Sequence, residues 1–130
     1  MIVGIGLDIV ETERMAKILA GRSAARFIDR VLTPAEREVW GKLPPRRALE
    51  YASGRFAAKE AVVKALGCGI GATAGFQDIE IIADELGKPV CKLSSAAVVR
   101  LGWDRPNYRL HIAITHERSV AAATALIEKL

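Results

Sequence analysis

Aromatic residues make up only 5% of this chain, and they form no series of stacking residues among its arginines. A stacking platform for single-stranded nucleic acid is therefore missing. Cysteine is scarce as well. Cys68 sits among glycines and Cys91 in an apolar run, with no CxxC spacing and no histidine placed to complete a metal motif. That argues against a disulfide framework or a zinc finger and for reduced thiols in a cytoplasmic chain. His111 and His116 lack the i, i+4 spacing of a helical zinc pair. No apolar run approaches the roughly 20 residues of a membrane span. Met1-Ile2-Val3-Gly4 carries no basic leader, so the N-terminus reads as a strand rather than a signal peptide.

What is present is globular material: 51% hydrophobic and 26% charged residues over 130 positions. A chain of this length buries roughly two thirds of its unfolded surface, so one domain, residues 1–130, is expected. The charge is uneven. Arg14, Lys17, Arg22, Arg26 and Arg30 face Asp29 alone within residues 14–30, and this stretch accounts for the whole net charge of +4. Such a patch is either a solvated helix face or a steering surface for an acidic partner.

The periodicities give an order of elements. A strand opens the chain. Helices follow over 12–20, with Thr12 as candidate cap and Gly21 as stop, and over 23–31. Thr33-Pro34-Ala35-Glu36 has the pattern of a capping box starting a helix that ends near Gly41. Pro44-Pro45 breaks the chain before a long helix to Leu66, closed by Gly67, with Leu49, Ala52, Phe56, Val63 and Leu66 as its apolar stripe. Strands over 78–83 and 90–93 flank Gly87-Lys88-Pro89; a short helix from Ser94 to Leu101 and strands over 108–115 and 120–127 complete the chain. The fold class is α+β: a mostly antiparallel sheet packed against helices, one of them long.

Two carboxylates interrupt apolar segments. Asp8 lies in Val3-Gly4-Ile5-Gly6-Leu7-Asp8-Ile9-Val10 and Glu60 in Phe56-Ala57-Ala58-Lys59-Glu60-Ala61-Val62-Val63-Lys64. A carboxylate leaving water needs a cation, a donor or a metal, and two of them in one small domain suggest a shared cation. Alternation sends Val3, Ile5, Leu7 and Ile9 to one face, expected to be core, and Gly4, Gly6 and Asp8 to a nearly bare opposite face. Those glycines admit either a ligand or another backbone. Glu60 and Lys64 are also spaced for an ordinary i, i+4 salt bridge. Gly67-Cys68-Gly69-Ile70-Gly71 follows a helix and lacks a Walker lysine, so alone it is no phosphate cradle.

Taken together, Gly4-Ile5-Gly6-Leu7-Asp8-Ile9-Val10-Glu11, Gly54-Arg55-Phe56-Ala57-Ala58-Lys59-Glu60-Ala61, Lys64-Ala65-Leu66-Gly67, Phe76-Gln77-Asp78-Ile79-Glu80-Ile81, Gly87-Lys88-Pro89 and Ile114-Thr115-His116 resemble the holo-acyl-carrier-protein synthase family of short bacterial phosphopantetheinyl transferases over nearly the whole chain. The resemblance implies transfer of 4′-phosphopantetheine from coenzyme A to a serine of apo acyl carrier protein, for fatty acid biosynthesis. It also implies Mg2+ and a homotrimer with active sites between subunits. Asp8 and Glu60 match the metal carboxylates and Lys64 a lysine near the transferred phosphate, the three forming the catalytic set. Arg55, Gly87, Lys88, Pro89, Thr115 and His116 match positions around the coenzyme A nucleotide. The proton acceptor for the serine is either Glu60 or a water on the metal. Arg14, Lys17, Arg22 and Arg26 then become candidate docking residues for the acidic carrier protein. Ala113 departs from the serine common in the family, and nothing is carried over onto Trp103-Asp104-Arg105-Pro106-Asn107. The alternatives are a small nucleic-acid-binding domain, disfavoured by the lack of aromatics, and a metal-independent oligomeric scaffold. Neither nucleic acid nor membrane is expected as a partner.

Overall fold

Ten residues of alternating side chains, Ile2–Glu11, form strand β1, and the chain turns at once into helix α1, Thr12–Ala20. The computed structural model describes all residues, 1–130. Thr12 is not the cap. Glu11 holds that position, while the Thr12 hydroxyl donates to the Arg118 carbonyl at 3.0 Å and ties the start of α1 to a distant turn. Helix α2 spans Ala24–Val31 and α3 spans Pro34–Gly41, the latter opened by the expected capping box. The long helix α4 runs Pro45–Leu66 and ends at Gly67, whose φ of 77° is the left-handed conformation that glycine adopts without strain. Strands β2 (Ile79–Ala83) and β3 (Pro89–Leu93) form a hairpin. Helix α5 (Ser95–Leu101) is capped by Ser94, and β4 (Tyr108–His116) and β5 (Val120–Lys129) close the chain.

The strands make two antiparallel sheets, one ordered β1-β5-β4 and the other β2-β3. Helix α4 lies across the inner face of the first. Small residues let it come close: Ala57, Ala58, Ala61 and Ala65 of the helix and Ala121, Ala123 and Ala125 of β5 are all buried. The closest approach is to β1, where a Cβ added at Gly4 or Gly6 would overlap the carbonyl oxygens of Ala65 and Ala61. The bare face of β1 is thus filled by helix backbone.

This reverses the expected orientation of β1. Gly4, Gly6, Asp8 and Val10 face α4, whereas Ile5, Leu7 and Ile9 are 73%, 55% and 61% exposed. The strand register places Ile5 beside Leu126, Leu7 beside Thr124 and Ile9 beside Ala122, so an apolar sheet face is uncovered in the single chain. The stripe of α4 differs too. Leu49, Phe56 and Leu66 are only partly buried, while Lys59 is sealed from solvent.

Candidate active site

Asp8 stands near the end of β1 on the side facing α4, and Glu60 stands on α4 just before Ala61, the residue that meets Gly6. The close strand–helix contact delivers both carboxylates to one pocket of about 280 Å³, walled by Met15, Phe27 and Phe56 with Arg14 at its edge. Lys64, one turn beyond Glu60, does not pair with it. Its Nζ lies 3.0 Å from Asp8 Oδ1 and donates to the Leu7 carbonyl, also at 3.0 Å. No cation lies within bridging distance of Glu60. Burial pushes its carboxyl above the ordinary 4.5 and the Asp8 charge adds to this, with Lys64 pulling the other way.

The pocket therefore holds more negative charge than the chain neutralises. Glu11 also lines the pocket, but no histidine or cysteine does and no three such side chains converge on one point, so a thiolate- or imidazole-preferring metal is not matched. Magnesium, which keeps several waters and takes one or two carboxylates plus substrate phosphates, fits this donor set.

A second cleft, of about 440 Å³, opens on another side of α4. Arg55 lines it, its Nε donating to the Ile81 carbonyl at 3.3 Å and its guanidinium lying 4.2 Å from the centre of the Tyr51 ring. Gly87, Pro89 and His116 face Arg55 across the cleft, and Gly87 makes its turn at a φ of 82°. His116 Nδ1 lies 3.1 Å from Glu50 Oε2. The structure thus gathers four of the six residues matched to the nucleotide. Lys88 is exposed, its N–H bound to Asp84 Oδ1 at 2.9 Å, and Thr115 lies on the outer sheet face beside Ala122; neither lines the cleft. Arg47, Glu50 and Tyr51 line it but were not singled out from sequence. Arg47, Tyr51 and Arg55 are spaced i, i+4, i+8 on one helix face, a signal that was there to be read.

Burial raises the proton affinity of the Tyr51 hydroxyl, and the Arg55 charge partly offsets that. The hydroxyl is enclosed without a hydrogen-bond partner. The two sites diverge: Arg55 and Glu60 are five residues apart, about 140° around an α-helix.

Arg14 and Lys17 on α1, Arg26 on α2 and Arg22 between the helices are exposed, Lys17 with a long 3.9 Å contact to Glu13. Because Arg14 also edges the acidic pocket, the basic patch borders the carboxylates. No helix is long and apolar enough to cross a membrane.

Comparisons with known proteins identify the family of the chain. The 4′-phosphopantetheinyl transferase superfamily matches residues 4–124. The holo-[acyl-carrier-protein] synthase of Geobacillus kaustophilus is 49% identical over the whole chain and 92% of its own length. That of Bacillus subtilis is 48% identical over the whole chain and 98% of its own length. Among solved structures, a Bacillus anthracis holo-(acyl-carrier-protein) synthase in complex with CoA (3′,5′-ADP) superposes with a TM-score of 0.84 at 39% identity, covering 100% of this chain and 99% of that one. The Neisseria meningitidis synthase gives 0.88 at 34% identity, covering 99% and 100%. With the whole chain accounted for at this identity, and with the fold shared, the chain belongs to the 4′-phosphopantetheinyl transferase superfamily as a member of its holo-[acyl-carrier-protein] synthase family.

Proposed function

We propose that this chain transfers the 4′-phosphopantetheine group of coenzyme A to a serine of apo acyl carrier protein, in the cytoplasm and in support of fatty acid biosynthesis, with Mg2+ as its metal. The observation that carries the proposal is the shared pocket of Asp8 and Glu60, in which only one carboxylate has a protein cation. Phosphoryl transfer asks the protein for positioning and charge neutralisation. Asp8 and Glu60 would hold the magnesium, which when bound neutralises charge on the pyrophosphate oxygens and leaving group. Lys64 supplies a further positive point charge beside them. Glu60 is the protein carboxylate placed to accept the serine proton, directly or through a water on the metal. The Arg55 cleft takes the nucleotide end of coenzyme A.

A single subunit presents these two sites on different sides of α4. The exposed apolar face of Ile5, Leu7 and Ile9 supports packing of further copies against the β1-β5-β4 sheet. We therefore read the assembly as a homotrimer in which the acidic pocket of one subunit meets the nucleotide cleft of its neighbour. Arg14, Lys17, Arg22 and Arg26 receive the acidic carrier protein. Mass spectrometry of apo carrier protein incubated with this chain, coenzyme A and magnesium tests the reaction. A gain of one phosphopantetheine group is expected, and an unchanged carrier mass under conditions where coenzyme A binds would overturn the proposal.

A further inference from the structure

The one fully buried ion pair of the molecule lies outside both sites. Lys59 and Glu36 each have 0% side-chain exposure, and Lys59 Nζ lies 2.6 Å from Glu36 Oε1. All three ammonium donors of Lys59 and both oxygens of Glu36 are engaged. Lys59 also donates to the carbonyls of Val31 at 2.6 Å and Phe76 at 3.1 Å. Glu36 Oε1 accepts the Thr33 N–H at 2.7 Å, and its other oxygen accepts the Ile81 N–H at 2.8 Å. The capping-box glutamate of α3 is therefore also the anchor of β2. Ile81 continues the chain of contacts, because its carbonyl accepts Arg55 Nε in the nucleotide cleft. Lys59 and Arg55 are four apart on α4, so this connected path leaves the helix at one residue and returns one turn earlier.

We propose that Lys59 and Glu36 are positioning residues for Arg55: by fixing the Ile81 peptide, they aim the guanidinium at the phosphates of the coenzyme A nucleotide. The proposal rests on the transferase reading above. The Ile81 carbonyl holds Nε, the Tyr51 ring holds one guanidinium face, and the terminal nitrogens remain for an anion. Nothing in that geometry requires the pair to touch substrate. Its effect is preorganisation, which appears as affinity rather than as a change in the chemical step.

A mutant cycle on the whole protein tests this. The double variant Lys59→Met with Glu36→Gln removes both charges together and so avoids leaving one buried ion unpaired. We expect it to bind 3′,5′-ADP about tenfold more weakly by calorimetry, with kcat at saturating coenzyme A within about threefold of the parent. Arg55→Ala should weaken binding by itself and lose no more than about twofold further in the double-variant background, because both changes remove one interaction. Ile127→Ala, buried on β5 beside Gly4 and Leu110 and away from both the ion pair and the cleft, serves as a stability control and should leave the affinity unchanged. Unaltered affinity in the folded double variant, losses that multiply with Arg55→Ala, or equal weakening by Ile127→Ala would each overturn the positioning role. If the pair variants do not fold, the parent decides: 3′,5′-ADP should slow amide exchange at Ile81 at least tenfold and leave Ala97 in α5 unchanged, and no slowing at Ile81 overturns the role. A parent that binds 3′,5′-ADP but transfers nothing would instead remove the transferase reading.

Discussion

Helix α4 carries adjacent charges with opposite fates. Lys59 points into a dry junction where its ammonium meets one carboxylate oxygen and two carbonyls, and where its partner Glu36 is equally satisfied. Glu60, the next residue, points into a half-open pocket beside a second carboxylate, with the nearest ammonium committed to Asp8. Both arrangements desolvate charge. The first closes its accounts within the protein and so specifies packing; the second leaves negative charge that only a ligand from outside completes. Burial of an acid in a sequence is thus a weak guide to function until its partners are counted.

The largest expected effects come from breaking each cluster by one charge. Lys59→Met strands the Glu36 carboxylate in the interior and should cost about 3–5 kcal/mol in chemical denaturation. Asp8→Asn and Glu60→Gln should leave the unfolding free energy within about 1 kcal/mol of the parent while reducing transfer by roughly 100-fold or more at any magnesium concentration. Should Asp8→Asn unfold the chain, or Glu60→Gln retain full turnover, the division between a structural and a functional cluster would fail.

The close contact that brings the clusters onto one helix gives a smaller effect. Alanine at Gly6 would place its Cβ against the Ala61 carbonyl, so β1 must move off α4, at a cost of about 1–3 kcal/mol by the usual overpacking scale. Asp8 lies on the same face of β1, and transfer should fall along with stability. Intact turnover in Gly6→Ala would mean that the strand does not position Asp8.

Exposed charges set the lower end of the comparison. Reversing Arg14 and Arg26 to glutamate should raise the Michaelis constant for carrier protein on the order of tenfold at low salt, less at high salt, and change that for coenzyme A little. Equal constants before and after would make the patch a solvated surface.

Much of this was legible in the sequence, and the exceptions share a cause. Caps and stops placed the helices: Thr33 with Glu36, Ser94 and Gly67 all act locally. Alternation grouped Ile5, Leu7 and Ile9 correctly but could not say which face looks inward, because the glycine face is filled by helix backbone rather than by side chains of its own. Lys59 resembles a solvent lysine, since its partner lies 23 residues away and already has a local role in a capping box. Lys64 at i+4 from Glu60 invited an intrahelical pair, yet Asp8, 56 residues away, wins it. Local signals thus fixed elements, while long-range pairing decided which charges were free.

The smallest effect is also the most direct test of that freedom. Glu60 has its proton affinity raised above 4.5 by burial and by Asp8, so in the metal-free protein its ionised form is disfavoured by folding. A group with a raised folded pKa adds stability that is fully present below the unfolded pKa and is lost as pH rises through the folded value. At neutral pH that contribution is gone for Glu60. Glu60→Gln, which carries no charge to lose, should then melt slightly above the parent in the absence of metal. The gap should close as pH falls through the folded pKa of Glu60 and vanish below about 4.5, the unfolded value. Magnesium with coenzyme A should reverse the order at neutral pH, because ligand binding stabilises the parent and the variant lacks one of the proposed metal carboxylates. A variant that melts below the parent without metal would show that Glu60 already has its counter-charge inside the chain, and its pocket would then belong with the Lys59 junction.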